Sequence, residues 1–211
     1  MKHYTKKNII ELEKVKRLNI INSITGIKPG NLIGSMDNDK TTNLAIFSSV
    51  VHLGSQPALL GFILRPQVNV IRDTYNNIMS NKLYTINHLP EKFSLNGHYT
   101  SAKFNSDESE FEFCKFTEWF HDGFDAPFVK ESSLKIGLKF QESIPIKINN
   151  TIMIVGSVEH IFVNSEALSE EGYIDLEKLH STGIGGLNSY YKLKKISSYP
   201  YARRNELPDF K

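Results

Sequence analysis

Residues 31–66, NLIGSMDNDKTTNLAIFSSVVHLGSQPALLGFILRP, carry the pattern that decides the fold. Asn31–Ser35 and Asn43–Val50 read as strands joined by the polar turn Met36-Asp37-Asn38-Asp39-Lys40. Asp and Asn suit such a turn because their side chains bond nearby backbone and tolerate left-handed geometry. Ala58–Leu64 reads as a third strand, nearly all apolar, with burial expected on both faces. It ends at Arg65-Pro66, where proline has no N–H to continue a ladder. One strand end thus carries Ser48, Ser49 and the amide of Val50, and the next carries a guanidinium. Amides, hydroxyls and an always-ionised bidentate donor form a set suited to a phosphate. The plainer alternative is two serines at an ordinary strand end and an arginine beside a surface carboxylate.

Outward from this stretch the β-signals continue. On the N-terminal side, residues 5–17 read as an amphipathic helix, with Ile9, Leu12 and Val15 at three-residue spacing among lysines and glutamates. After Pro66 a helix is expected with Ile71, Tyr75 and Ile78 on one face. Leu83–Asn87 reads as a short strand and 91–98 as a short helix. Ser106–Phe120 has a helical composition, although its aromatics follow no single period. Leu134–Phe140 and Ile144–Ile148 alternate as two strands. Thr151–Val163 reads as a long strand, with Gly156 as a bulge or a point of close approach. Asn164–Thr182 is polar and suggests a surface excursion, and the tail from Ser197 reads as irregular. Seven or so strands with a few short helices predict a mainly β fold, a barrel with helical decoration, in one domain spanning 1–211.

Composition narrows the function classes. A formal net charge of +2, with lysines spread along the chain and no basic block, argues against nucleic acid as a partner. No run of about eighteen apolar residues exists to span a membrane, and the N-terminus lacks an apolar signal core. Cys114 is the single cysteine, so no intrachain disulfide forms, which fits a cytoplasmic setting. It reads as a small buried apolar residue beside Phe113 and Phe116 rather than a redox nucleophile. The histidines show no ligand-like spacing, and no metal is expected. Asp37-Asn38-Asp39 opens like a calcium loop, but Thr42 and Ser48 stand where glycine and glutamate belong. Gly183-x-Gly185 is a partial dinucleotide fingerprint with Asn188 at the third glycine position and no βαβ unit around it.

Two further segments offer polar chemistry. His98-Tyr99-Thr100-Ser101-Ala102-Lys103-Phe104 puts hydroxyls, a small residue, a cation and an aromatic in one short loop. Gly183–Tyr190, GIGGLNSY, suggests a closely approached loop ending in a ring. Taken alone, the first also reads as a helix end with an exposed lysine, and Tyr190 as a half-buried core tyrosine.

The order of NLIGS, NLAIFSSVVHLGSQPALLGFILRP, HYTSAKF with SEFEF, and GLNSYYK followed by SYPYAR resembles that of the flavin reductase-like family. The resemblance covers most of 17–204 and points to the branch that includes flavoredoxin. It implies an FMN-binding split β-barrel of Greek-key type, about six to seven strands with flanking helices, and a homodimer with flavin near the interface. It implies FMN contacts from Asn43, Leu44, Ala45, Ser48, Ser49, Val50 and Arg65, and from Thr100, Ser101, Ala102 and Lys103. Ala45 is small enough to let a ring approach, and a main-chain N–H on that strand would suit the flavin N5. The implied activity is an oxidoreductase with NAD(P)H as co-substrate, passing electrons to free flavin, a metal complex or a redox protein. The alternative is an FMN-bound electron carrier that never meets a nicotinamide. Hydride transfer itself requires no general acid or base, so no catalytic residue is assigned. His52 and His98 lie near the candidate site without an assigned role. The chain departs from the pattern at Ser35, in the turn DNDKTT and in the tail YARRN.

Overall fold

The structure, a computed structural model, describes residues 1–66 and 73–210. Two helices open the chain, α1 (Lys6–Glu11) and α2 (Lys14–Ser23). The expected single helix over 5–17 is broken, because Glu13 starts a new one. Its Oε2 accepts from the N–H groups of Val15 and Lys16 at 2.9 and 3.1 Å. Five strands follow: β1 (Lys28–Pro29), β2 (Asn31–Met36), β3 (Thr42–Phe47), β4 (Val51–Ser55) and β5 (Ala58–Leu64). Then come α3 (Asp73–Asn81), β6 (Leu83–His88), α4 (Ser94–Tyr99) and α5 (Glu110–Phe113). The remaining strands are β7 (Glu118–His121), β8 (Phe124–Val129), β9 (Leu134–Ile146), β10 (Thr151–Val163), β11 (Thr182–Gly185) and β12 (Ser189–Lys192).

Seven strands form one antiparallel sheet in the order β3-β2-β6-β9-β10-β5-β4. Strands β3 and β4 are consecutive in the chain yet stand at opposite ends of that order, so the sheet is rolled up and left open between them. The rings of Phe47 on β3 and Phe62 on β5 meet at 5.0 Å across the roll. This is the mainly β split barrel expected from the sequence. Its interior holds Ile33, Phe62, Leu64, Tyr84, Ile86, Leu138 and Ile154. A second cluster, with Leu32, Leu44, Leu89, Phe111, Phe116 and Val129, covers the outer face of β2 and β3. Ile33 therefore points in and Leu32 out, and both are fully buried.

Several expectations are corrected. The strand over 43–50 stops at Phe47, and Ser48–Val50 turn across the open seam into β4, which the sequence reading left unassigned. β5 is buried only in its second half; Ala58 is exposed. The proposed helix over 106–120 is one short turn, α5, and Glu118–His121 instead pairs with β8 across the Asp122-Gly123 turn, Gly123 at φ 78°. Of the aromatics in 106–120, Phe111 and Phe116 are buried in the core and Trp119 packs against it, while Phe113 and Phe120 are exposed. The two strands over 134–148 are one continuous β9 with a bulge opposite Val155/Gly156. Gly156 is a close-approach point as expected, since a Cβ there would run into the Tyr84 ring. In the first turn it is Lys40, at φ 68°, rather than an Asp or Asn, that takes the left-handed conformation, while Asp37 Oδ1 accepts from Thr41 N–H at 2.8 Å. The helix after Pro66 exists as α3 with Ile78 fully buried; Ile71 lies outside the described residues. The glycine-rich 183–190 segment is a hairpin, β11–β12, that adds to β1.

Candidate functional site

The seam between β3 and β4 gathers the residues singled out as a phosphate cradle. Ser49 Oγ donates to the Ile63 carbonyl and accepts from the Ile63 N–H, both at 3.1 Å. β4 pairs with β5 no further than Gly61, so this hydroxyl replaces the next rung of the ladder. It also ties Ser48–Val50 to a point two residues before Arg65. Ser49→Ala should leave an N–H and a carbonyl of β5 unpaired and cost about 1–2 kcal/mol, read as a lowered urea midpoint at unchanged slope. An unchanged midpoint would refute the role of the hydroxyl.

With the Ser49 side chain engaged, other donors remain. The N–H groups of Ser48, Ser49 and Val50 bond no acceptor among the described residues. Ser48 Oγ is half-buried and without a partner among them, and Arg65 is exposed and makes no ion pair among them. Successive amides, one hydroxyl and a guanidinium fit a phosphate by the chemistry of the donor set.

On β3 the arrangement is different. Asn43 is buried, its Nδ2 donating to Thr74 Oγ1 at 3.1 Å and reaching Ser35 Oγ at 3.4 Å. Leu44 is fully buried in the outer cluster, and its N–H donates to Glu110 Oε2 at 2.9 Å. Just before it, Thr42 Oγ1 bonds Ser109 Oγ at 2.7 Å and the Glu118 carboxylate. The segment around α5 therefore occupies the first half of the free edge of β3. Ladder alternation turns the N–H of Ala45 toward its β2 partner Ile33, and sends those of Leu44 and Ile46 outward. With Leu44 taken, Ile46 carries the outward donor, a residue not selected from sequence. Asn43 and Leu44 thus hold the strand in place with the very groups expected to meet a ligand.

The loop after α4 lies beside the outer face of the same strand. Phe104, Ile46 and Tyr190 pack against one core cluster. Thr100 is buried and its hydroxyl donates to the Gly97 carbonyl at 2.8 Å, closing the end of α4. Ser101, Ala102 and Lys103 are exposed. His98 Nδ1 sits 3.0 Å from the Tyr190 hydroxyl, which joins the second and third sequence elements. His52 lies on the exposed strand β4.

Two groups near this region hold unusual protonation states. Glu110 is 8% exposed, and burial raises its carboxyl to about 7, against the Leu44 N–H that favours the anion and with Asp73 adding repulsion. Cys114 is buried between Phe111 and Phe116, and burial together with Glu110 pushes its thiol up to about 11, which keeps it inert. Neither was visible as a site residue in the sequence, where Glu110 stands directly before the buried Phe111 in SEFEF and Glu112, between the two phenylalanines, is exposed.

A cleft of about 50 Å³ beside Asn43 is lined by acidic and amide groups such as Asp37, Asp73, Asn77 and Glu108. A larger one, about 220 Å³, lies in the 166–178 excursion. The first touches the candidate residues only at Asn43, and the second not at all.

A family model described as the flavin reductase like domain matches residues 27–182. Among solved structures, the chain is 42% identical to a protein provisionally assigned as a flavin reductase with a split barrel domain, from Shewanella frigidimarina NCIMB 400. That match covers 96% of this chain and 100% of the other, at a TM-score of 0.91. It shares its fold with nitrilotriacetate monooxygenase component B from Bacillus cereus (18% identity, 94% and 98% of the two chains, TM-score 0.82). It also shares it with the flavoredoxin of Desulfovibrio vulgaris (Miyazaki F) (21% identity, 84% and 92%, TM-score 0.72). A rolled seven-stranded sheet open at one seam and a family match over 27–182, about three quarters of the length, lead to one statement: the chain belongs to the flavin reductase-like domain family.

Proposed function

We propose that the protein binds FMN at the β3–β4 seam and works as an NAD(P)H-dependent oxidoreductase in homodimeric form. What supports the reading is the Ser49–Ile63 contact, because it ties the segment with the free amides of 48–50 to β5 two residues before Arg65. Ser48 Oγ, those amides and Arg65 would hold the phosphate. Charge-assisted hydrogen bonds of this kind contribute about 1.5–3 kcal/mol each. The outward edge of β3 at Ile46, the exposed Ser101–Lys103 loop and the Tyr190 rim would receive the ring. Bound flavin would supply the redox chemistry, that is, hydride acceptance from a nicotinamide and electron transfer to free flavin, a metal complex or a redox protein. The chain's own part is to hold both reactants close and aligned, and to keep water from the contact.

Support for the dimer comes from surfaces the protomer leaves uncovered. Neither α1 nor α2 buries a residue, and Val15, Leu18, Ile21 and Ile24 form an exposed apolar stripe. The tail exposes Ile196, Tyr199, Tyr201, Leu207 and Phe210. Neither of the two clefts described above encloses the gathered donors, and a second copy would supply the other wall. Sedimentation equilibrium is expected to give twice the 24.0 kDa chain mass; a monomer at micromolar concentration would remove this part of the reading.

The experiment for the activity is an absorbance scan of purified protein for oxidised flavin, followed by anaerobic mixing with NADH or NADPH. Bleaching of the flavin bands supports the reductase. Retained flavin that neither nucleotide bleaches identifies an electron carrier instead, and a colourless protein that ignores added FMN refutes both.

A further inference from the structure

His98 is held from three directions and keeps one ring nitrogen free. Its carbonyl accepts from the N–H of Ser101 at 3.1 Å and from the Ser101 hydroxyl at 2.7 Å, which fixes the backbone where α4 ends. Its Nδ1 meets the Tyr190 hydroxyl at 3.0 Å. The rings of Tyr99 and Tyr190 stand edge-on to the imidazole, with centroids at 5.5 and 5.7 Å. Tyr190 packs against the same buried cluster as Ile46 and Phe104, so β12, the second loop and the outer face of β3 share one core. His98 is nevertheless only half-buried, and Nε2 has no partner among the described residues.

The direction of the pairing decides which nitrogen carries the proton. A phenol can donate to Nδ1 or accept from it, and with the Tyr190 hydroxyl as donor Nδ1 is the acceptor. A neutral imidazole that accepts at Nδ1 carries its proton on Nε2. A ring paired at Nδ1, with a fixed backbone and Nε2 left over, suits an oriented donor to a ligand oxygen. Nothing in the packing of the protomer needs that donor.

We infer that His98 is a cofactor-binding residue whose Nε2–H donates to a carbonyl oxygen on the ring edge of the flavin, and that Tyr190 is the residue that positions it. The inference rests on the flavin reading above and deepens it, adding a ring-edge donor to the phosphate donors Ser48 and Arg65. The phosphate donors lie where β3 and β5 end. His98 lies in α4 just before the 100–103 loop and is bonded to Tyr190, which packs against the same buried cluster as Ile46. A donor there favours the charge that reduction places near the pyrimidine oxygens.

The test is binding of FMN and of riboflavin, which lacks the phosphate, to the full chain and to His98→Asn, Tyr190→Phe and the double variant, followed by flavin fluorescence. His98→Asn is expected to weaken both ligands about tenfold, and Tyr190→Phe about threefold. The double variant should be no weaker than His98→Asn alone, because Tyr190 acts through the imidazole. The midpoint potential of bound flavin should become more negative in His98→Asn. Independently of any ligand, nitrogen NMR of the imidazole should report the Nε2–H tautomer in the unmodified chain and a mixture in Tyr190→Phe. Equal flavin affinity in His98→Asn overturns the proposal, as does a loss confined to FMN, which would place His98 at the phosphate. Additive losses in the double variant overturn the positioning role of Tyr190. Failure of the unmodified chain to bind either flavin refutes the functional reading itself, and this inference with it.

Discussion

Arg65→Ala is expected to weaken FMN binding by about 10- to 100-fold while leaving the protein folded. The magnitude follows from the chemistry of one exposed guanidinium. A bidentate, charge-assisted contact to a dianionic phosphate is worth about 1.5–3 kcal/mol, and each 1.4 kcal/mol is a factor of ten in dissociation constant. The fold should tolerate the change, because Arg65 is exposed beyond the last residue of β5 and pairs with no carboxylate among the described residues. Riboflavin affinity should hardly move, since the lost partner is the phosphate. Arg65→Lys should recover part of the loss, as a point charge without the fork geometry. Titration of each variant with FMN and riboflavin gives the answer. If Arg65→Ala purifies with a full complement of flavin, the phosphate does not sit at the seam.

Glu110→Gln is expected to stabilise the protein above neutral pH by about 3 kcal/mol, at most some 6–12 °C in melting temperature for a chain of this size. The carboxyl titrates near 4.5 when unfolded and at about 7 when folded, because burial disfavours the anion. A raised acid keeps its proton in the folded state while the unfolded state has lost it. Its effect on stability is thus neutral below 4.5 and increasingly unfavourable as pH climbs to 7. His88 has the opposite sign. Burial lowers its imidazole from 6.5 to about 4, while Nδ1 lies 3.1 Å from Ser181 Oγ. Stability on its account is complete above 6.5 and is lost as pH falls toward 4. In the unmodified chain the two slopes oppose each other between about 4.5 and 6.5. Removing the Glu110 charge should uncover the His88 slope, so Glu110→Gln gains stability steadily from pH 4 to 6.5 and stays level above it. Gln retains an oxygen to accept the Leu44 N–H, so β3 should keep its place. Urea melts at half-unit pH steps measure this, and parallel curves for the two proteins would show that the carboxyl does not titrate as described.

A buried carboxylate that costs stability at neutral pH calls for a reason, and its contact supplies one. Glu110 reaches across to the free edge of the strand that carries the candidate site. A free β edge is a place where chains pair wrongly, and covering its first half with a side chain leaves the second half available.

Some of this was legible residue by residue. Alternation and turn residues predicted β2, the end of β5 at Arg65-Pro66 and the close approach at Gly156. Reading the donors of 48–50 and Arg65 as one set required only that two strand ends be neighbours. Where the reading went wrong, local composition was overruled by partners elsewhere. Ser106–Phe120 looked helical, yet Glu118–His121 pairs with β8 because the Asp122-Gly123 turn folds it back and Trp119 packs against Phe128 and Phe162 at 5.3 and 4.9 Å. The glycines of 183–186 looked like a loop and became a strand because β1 offered an edge.

What the amino-acid order determined by itself is the mainly β barrel and the chemical kinds of donor available, since both follow from side-chain period and residue type within a few positions. Only the tertiary structure decided which donors are spent and which remain. Ser49 is consumed by Ile63, 14 residues away; Leu44 by Glu110, 66 away; and His98 is oriented by Tyr190, 92 away. A hydrogen-bonding group has a fixed capacity, and whether that capacity is used up depends on which distant backbone or side chain folding brings within about 3 Å.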